Sequence, residues 1–106
     1  MNCFFSDDLF FEKKLSKIYV DTALLVYPLS IRHRLNGDKF KPLGMSNFKK
    51  LSDFFIDEKV PLYQKDNTPI LINGNQEIIW VIGLRQDNRY KVQANTKKVA
   101  IFELTK

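Results

Sequence analysis

The sequence predicts an α+β domain dominated by mostly antiparallel β-structure, with one or two short helices. Three observations predict it. Short apolar or alternating segments are separated by turn residues, notably Asn36-Gly37 and Asn73-Gly74-Asn75-Gln76. Residues 78–82 are apolar at every position, the texture of a strand covered on both faces. Phe48, Leu51, Phe54 and Phe55 recur at the three-to-four spacing of a helix.

The elements follow in order. Ser6 is placed to cap a short helix over 7–16, with Asp7 and Asp8 in the first turn, where carboxylates meet the positive end of the helix dipole. Phe10, Phe11 and Leu15 then share its buried side, although the doubled aromatics Phe4-Phe5 and Phe10-Phe11 also suit strands. Ile18 and Val20 fit a short strand, and 24–27 fits a turn or a second one. Pro28, lacking an N–H, belongs at a strand start or edge. Beyond it Leu29, Ile31 and His33 alternate with Ser30, Arg32 and Arg34. Asn36-Gly37 predicts a tight type I′ hairpin, because both central residues of that turn need positive φ. The return strand alternates Lys39 and Lys41 with Phe40, and Pro42 and Gly44 end it. Ser46 caps a predicted helix over 47–57, with Phe48, Leu51, Phe54 and Phe55 inside and Lys49, Lys50 and Asp53 outside. Pro61 stops it. Strands over 69–72 and 77–82 flank the Asn-Gly turn, and Gln86-Asp87-Asn88 turns the chain again. Residues 90–92 and 99–104 supply the last of about seven strands.

A chain of 106 residues is one domain in size. Its net charge of +5 is unevenly placed: residues 1–30 carry −1 and residues 31–106 carry +6. Such a surface attracts polyanions (RNA, DNA or anionic lipid), or it simply keeps the protein in solution. The single cysteine, Cys3, excludes an internal disulfide and a Cys-rich zinc site, and fits a reducing cytosol. No apolar run has the length of a membrane span, and Asp7 and Asp8 interrupt the N-terminal stretch a signal peptide would need.

Catalytic constellations are missing from the sequence. Neither GxGxxG nor GxxxxGK[ST] occurs. The one imidazole, His33, alternates with two arginines and reads as a packed or hydrogen-bonded strand residue. Asp53 and Asp57, four apart, read as a solvated helix face or as ion-pair partners of Lys49 and Lys50 before they read as an acid–base pair. The cations carry more information. Arg32 and Arg34, two apart on a strand, project to one side about 7 Å from each other. Lys39 and Lys41 repeat this on the hairpin partner, which predicts a four-cation patch that Lys49 and Lys50 extend. Arginine offers phosphate a bidentate fork and lysine a point charge. Against this stands an anchoring reading, in which at least one of the two arginines is tied to Asp38 or another carboxylate, and for Arg34 this weighs as much as RNA contact because Asp38 lies close across the turn. Arg85 and Arg89 bracket Asp87, which braces the loop in one reading while one arginine faces a ligand. Trp80, Phe40, Phe48 and Tyr90 offer rings for base stacking but read as core.

Four motifs in order carry a family resemblance. PLSIR followed by NGDKFKPLGM, then KKLSDFFIDEKVP, then EIIWVIGLRQDNRYKV and a final Thr before an apolar strand, resemble the C-terminal domain of bacterial tRNA(Ile)-lysidine synthetase over about 19–104. Residues 1–17 lie outside the match. The resemblance implies a sandwich-like domain of the kind also found in the phenylalanyl-tRNA synthetase β chain. The parent enzyme would adenylate the wobble cytidine of an isoleucine tRNA with ATP and join lysine to it. An N-terminal catalytic domain with an SGGxDS-type loop would do that chemistry. Residues 1–106 contain no such loop, so the chain reads as a single C-terminal tRNA-recognition domain without chemistry or cofactor of its own. Its implied partners are tRNA(Ile), chiefly near the acceptor stem, the catalytic domain and a second copy of the parent enzyme, in the cytoplasm and away from membranes. Arg32, Gly37, Asp38, Phe40, Pro42, Gly44, Lys50, Leu51, Asp53, Lys59, Pro61, Trp80, Gly83, Arg85 and Arg89 occupy motif positions. The Gly, Pro and aromatic members read as fold-makers. Arg32, Arg34, Lys39, Lys41, Lys49, Lys50, Lys59, Arg85 and Arg89 are the RNA-contact candidates. Arg34 replaces an aromatic residue often found there, and Ser46-Asn47-Phe48 replaces a more basic, Gly-containing link. Beside the RNA reading stands a non-catalytic protein-interaction module with a basic surface.

Overall fold

Three antiparallel sheets carry the fold. The computed structural model describes the backbone of residues 2–6 and the whole of residues 17–104. The helix expected over 7–16, with Phe10, Phe11 and Leu15, lies outside the described residues.

The first sheet has the order β1-β9-β2, with β1 at Asn2–Ser6, β2 at Lys17–Asp21 and β9 at Val99–Glu103. The second has the order β3-β6-β7-β8, with β3 at Ser30–Arg32, β6 at Ile70–Ile72, β7 at Ile78–Val81 and β8 at Arg85–Gln86. A two-residue ladder joins β4, Lys39–Phe40, to β5, Lys49–Lys50. Helix α1 is Leu51–Asp57, and α2 is the single turn Leu62–Lys65 that Pro61 opens. Two 3-10 turns, Thr22–Leu24 and Asn88–Tyr90, are capped by Asp21 and Asp87.

The apolar run 78–82 is covered on both faces. Leu71, Ile79, Trp80 and Ile82 join Ile18, Val20, Tyr90, Ala100 and Phe102 in a core against the first sheet. Ile70, Ile72, Ile78 and Val81 join Phe40, Leu51, Phe54 and Phe55 in a second core on the opposite side. A bulge makes this split possible. Ile72 faces Ile78 and Leu71 faces Trp80, so Ile79 is one residue extra and shares a side with Trp80.

Several local expectations change. Asn36-Gly37 does not join two paired strands: β3 pairs with β6, and β4 pairs with β5. Of the two turn residues only Gly37 takes positive φ, at +87°, and the Asp38 amide donates to Leu35. That is the signature of a type II turn rather than type I′, and it redirects the chain between sheets. The helix starts at Leu51 rather than near Ser46, because Lys49–Lys50 is taken up by the ladder and Lys50 becomes the extended N-cap residue. Its end is a Schellman-type turn, in which Lys59 sits at φ +55° and Val60 donates to Phe55. The expected strand over 90–92 is a 3-10 turn followed by an isolated bridge from Lys91 to Val20. The turn after β7 centres on Gly83, ahead of the expected Gln86-Asp87-Asn88. Ile31 is half exposed because β3 is an edge strand.

Candidate nucleic-acid interface

The β4–β5 ladder builds a cationic face by alternation. Residues directly opposite on an antiparallel pair point to the same side. Lys39 lies opposite Lys50, and Phe40 lies opposite Lys49. Phe40 is fully buried and meets Phe54 edge-on at 5.1 Å, so Lys39 and Lys50 face outward. Two residues further along each chain, Lys41 and Phe48 lie on that same outward side. The Lys39 and Lys41 ammoniums sit 5.2 and 4.9 Å from the centroid of the Phe48 ring. The Arg89 guanidinium lies 4.9 Å from the same centroid. Phe48 is 48% exposed. It was expected in the core, as part of the helix stripe; the late start of α1 puts it just before the ladder instead.

Arg89 differs in kind from the lysines. Its Nε and Nη2 donate to Asp87 at 3.0 and 2.9 Å, and its Nη1 donates to Glu77 at 2.7 Å. The Asp87 hydrogen bond raises the Arg89 pKa, outweighing the opposing effect of burial. Its hydrogen-bonding edge is occupied, so Arg89 offers Phe48 a fixed planar cation rather than a fork for phosphate. Asp87 has no exposed surface. It also accepts from the amides of Lys41 and Arg89, and Pro42 forms a bridge to it. Leu43 and Asn88 add backbone bonds to Gln86 and Lys41. Segment 41–44 is thereby stitched to segment 86–88, which fixes where Lys41 leaves the fold. Asp87 acts as the expected brace.

The expected four-cation patch of Arg32, Arg34, Lys39 and Lys41 does not form as one sheet face, because β3 and β4 are in different sheets. Arg32 grips Asp38 with both terminal nitrogens, at 2.9 and 3.0 Å, and donates to the His33 carbonyl. Asp38 takes a further bond from the Leu35 amide at 2.8 Å. Burial raises the Asp38 pKa, but the Arg32 and Leu35 hydrogen bonds outweigh it and hold the carboxyl below its usual range. Asp38 is therefore the anchor of Arg32, whereas Arg34 reaches exposed Asp66 at 2.9 Å. Lys49 pairs with Asp57, one of its expected partners, but reaches it from β5 rather than from the helix face. Arg85 pairs loosely with Glu58 at 3.4 Å and lies over Phe54. Among the described residues, Lys39, Lys41, Lys50 and Lys59 have no carboxylate partner. Lys59 is exposed at the far end of α1.

Residues 29–102 match the sequence pattern of the TilS substrate C-terminal domain. The chain belongs to this family. The tRNA(Ile)-lysidine synthase of Caldanaerobacter subterraneus subsp. tengcongensis is 47% identical over 76 residues, which are 72% of this chain and 16% of that protein. The synthase of Parabacteroides distasonis is 42% identical over 90 residues, 85% of this chain and 20% of that protein. The chain spans about a fifth or less of the length of these relatives. A crystal structure of a TilS C-terminal domain superposes with a TM-score of 0.83 at 25% identity, covering 95% of this chain and 78% of that one. An N-terminal fragment of the phenylalanyl-tRNA synthetase β-subunit from Pyrococcus horikoshii shares the fold, with a TM-score of 0.64 at 19% identity over 80% of this chain and 26% of that one.

The motif residues of this TilS-type domain divide by what they touch. Phe40, Leu51 and Trp80 are buried, Pro42 is pinned by Asp87, and Gly37 and Gly83 supply positive φ at turns. Arg32, Asp38 and Arg89 hold loops. Sequence reasoning offered Phe48 as a stacking ring but read it as core, and it missed Glu77. The signal for Phe48 was the period-two pairing of Phe48 and Lys50 against Lys39 and Lys41, which the helical spacing to Leu51 obscured. No helix among the described residues is long and apolar enough to cross a membrane.

Proposed function

We propose that this chain is the tRNA-docking domain of a tRNA(Ile)-lysidine synthase. In this reading it selects and positions the isoleucine tRNA, near its acceptor stem, for a catalytic domain that uses ATP and lysine. The observation that carries it is the ladder face, where Lys39, Lys41 and Lys50 lie on one side without a carboxylate partner among the described residues. Like charges directly opposite on two strands disfavour the fold. A polyanion reverses the sign of that term. RNA phosphates meet the requirement, and side chains approach an A-form stem by shape and backbone charge rather than through its narrow major groove. The names of the relatives support tRNA as the RNA.

Binding of the chain to tRNA(Ile), titrated between 50 and 200 mM salt, tests the proposal. The affinity should fall steeply with salt. Replacing Lys39 and Lys41 together by Gln should reduce the slope of log K against log salt by roughly 1.4–1.8, at about 0.7–0.9 per phosphate contact. No binding at 50 mM salt, or binding indifferent to salt, would refute it.

A second observation favours a complementary protein contact. An open apolar cleft of about 830 Å³ lies beside edge strand β3, lined by Tyr27, Pro28, Leu29, Ile31, Leu71 and Phe102. Tyr27 is 60% exposed there. The protein-interaction reading places a protein surface, such as that of the catalytic domain, against this cleft. Loss of affinity for that domain on Tyr27→Ser, with tRNA affinity kept, would separate the two faces.

A further inference from the structure

We infer that Phe48 is a stacking platform for one unpaired nucleobase, with Lys39 and Lys41 taking the phosphates on either side of it. This rests on the RNA reading above and goes beyond it, since phosphate docking on a stem needs no exposed ring.

The arrangement has three parts. First, a large apolar ring is nearly half exposed on an otherwise charged face, where it gains little from burial. Second, the ring does not depend on the lysines for its position. Arg89, locked by Asp87 and Glu77, lies against it, and Asp87 also fixes the neighbouring segment 41–44. Third, the two lysines stand on long stems, and no acidic group among the described residues pins their ammoniums. They lie over the ring, and their stems let them turn to phosphate when a base stacks there. Aromatic rings bind bases of any identity through their π-faces, and flanking cations follow the backbone. A base inside a helix has both faces covered by its stacked neighbours, so the ligand is a nucleotide outside a helix: a single-stranded end, a bulge or a loop.

The test compares a blunt RNA duplex with the same duplex carrying a four-nucleotide single-stranded 3′ extension. The wild-type chain should prefer the extended duplex by about tenfold. Phe48→Leu should erase that preference while leaving both the affinity for the blunt duplex and its salt slope unchanged. Phe48→Tyr, which keeps the ring, should keep the preference. A 2-aminopurine in the extension should be quenched by wild type and not by Phe48→Leu. If Phe48→Leu misfolds, judged by Trp80 emission, the Phe48→Tyr variant and the quenching by wild type still decide. Absence of a preference in wild type, or its survival in Phe48→Leu, overturns the stacking site alone. Failure of wild type to bind either duplex at 50 mM salt overturns the RNA reading itself.

Discussion

Arg32 and Arg34 differ in what their carboxylates do. Asp38 is half-buried, closes the turn through Leu35 and lies in the fork of Arg32. Asp66 is an exposed carboxylate that costs little to leave alone. Arg32→Ala should therefore destabilise the fold by about 1.5–3 kcal/mol, since a charged hydrogen-bonded group loses its partner away from water. Arg34→Ala should cost about 0–1 kcal/mol, as exposed pairs do. Urea midpoints at pH 7 measure both, and equal costs would show that Asp38 does not need its arginine. The pH dependence has a definite sign. The folded pKa of Asp38 lies below its unfolded value, about 3.9. Its contribution is complete above that value and is lost as pH falls through the folded pKa. The gap between wild type and Arg32→Ala should close in acid, when the carboxyl is protonated in both.

One hydrogen-bonded chain links the interior to the cationic face at the level of elements. Asn73 holds the Leu24 carbonyl and the Val26 amide at 3.2 and 2.7 Å, and donates to the Tyr90 hydroxyl at 2.9 Å. Tyr90 donates to Glu77 at 2.5 Å, and Glu77 accepts from Arg89, the residue under Phe48. Gly74 completes the contact, because a Cβ there would meet the Val26 carbonyl oxygen at 2.4 Å. Burial first, and the bond to Glu77 second, push the Tyr90 pKa up to about 12. The unfolded value is about 10. The stability that Tyr90 confers is thus present below pH 10 and lost between pH 10 and about 12. Tyr90→Phe is predicted to cost about 1–3 kcal/mol at pH 8, by leaving Asn73 and Glu77 with unpaired atoms. The cost should shrink across that alkaline window, as read from denaturant midpoints at pH 8 and 11.5; a constant difference would show that the hydroxyl does not titrate with folding. Little of this chain was legible in the sequence, because its members come from three separated segments, 24–26, 73–77 and 89–90. Asp87 was legible as a brace because it sits between two arginines. The ladder was not, because two-residue strands leave too short an alternation to outweigh the helical spacing of Phe48 to Leu51. Asn36-Gly37 marked a turn correctly, but its dipeptide signal does not say which strands will pair on either side.

The whole molecule is organised by β6 and β7, whose opposite faces belong to two different cores. Residues 78–82 announced this, since only a strand covered twice is apolar at every position; which elements covered each face depended on long-range packing and was not readable. The sharing has a thermodynamic consequence. Losing α1 and the ladder exposes Ile70, Ile72, Ile78 and Val81, while losing the first sheet exposes Leu71, Ile79 and Trp80. Neither loss leaves the central sheet a closed core, and a sheet with one bare apolar face has no independent stability in a domain this size. The domain should therefore unfold as one unit. Phe55→Ala, in the core against α1, is expected to cost about 3–5 kcal/mol. Trp80 lies in the other core and reports on it by fluorescence. In Phe55→Ala the Trp80 emission and the far-UV signal should shift to the same lower denaturant midpoint. A Trp80 transition that stayed at the wild-type midpoint while the far-UV signal moved would mean that the two cores fold separately and that the cationic face can melt without the sheet beneath it.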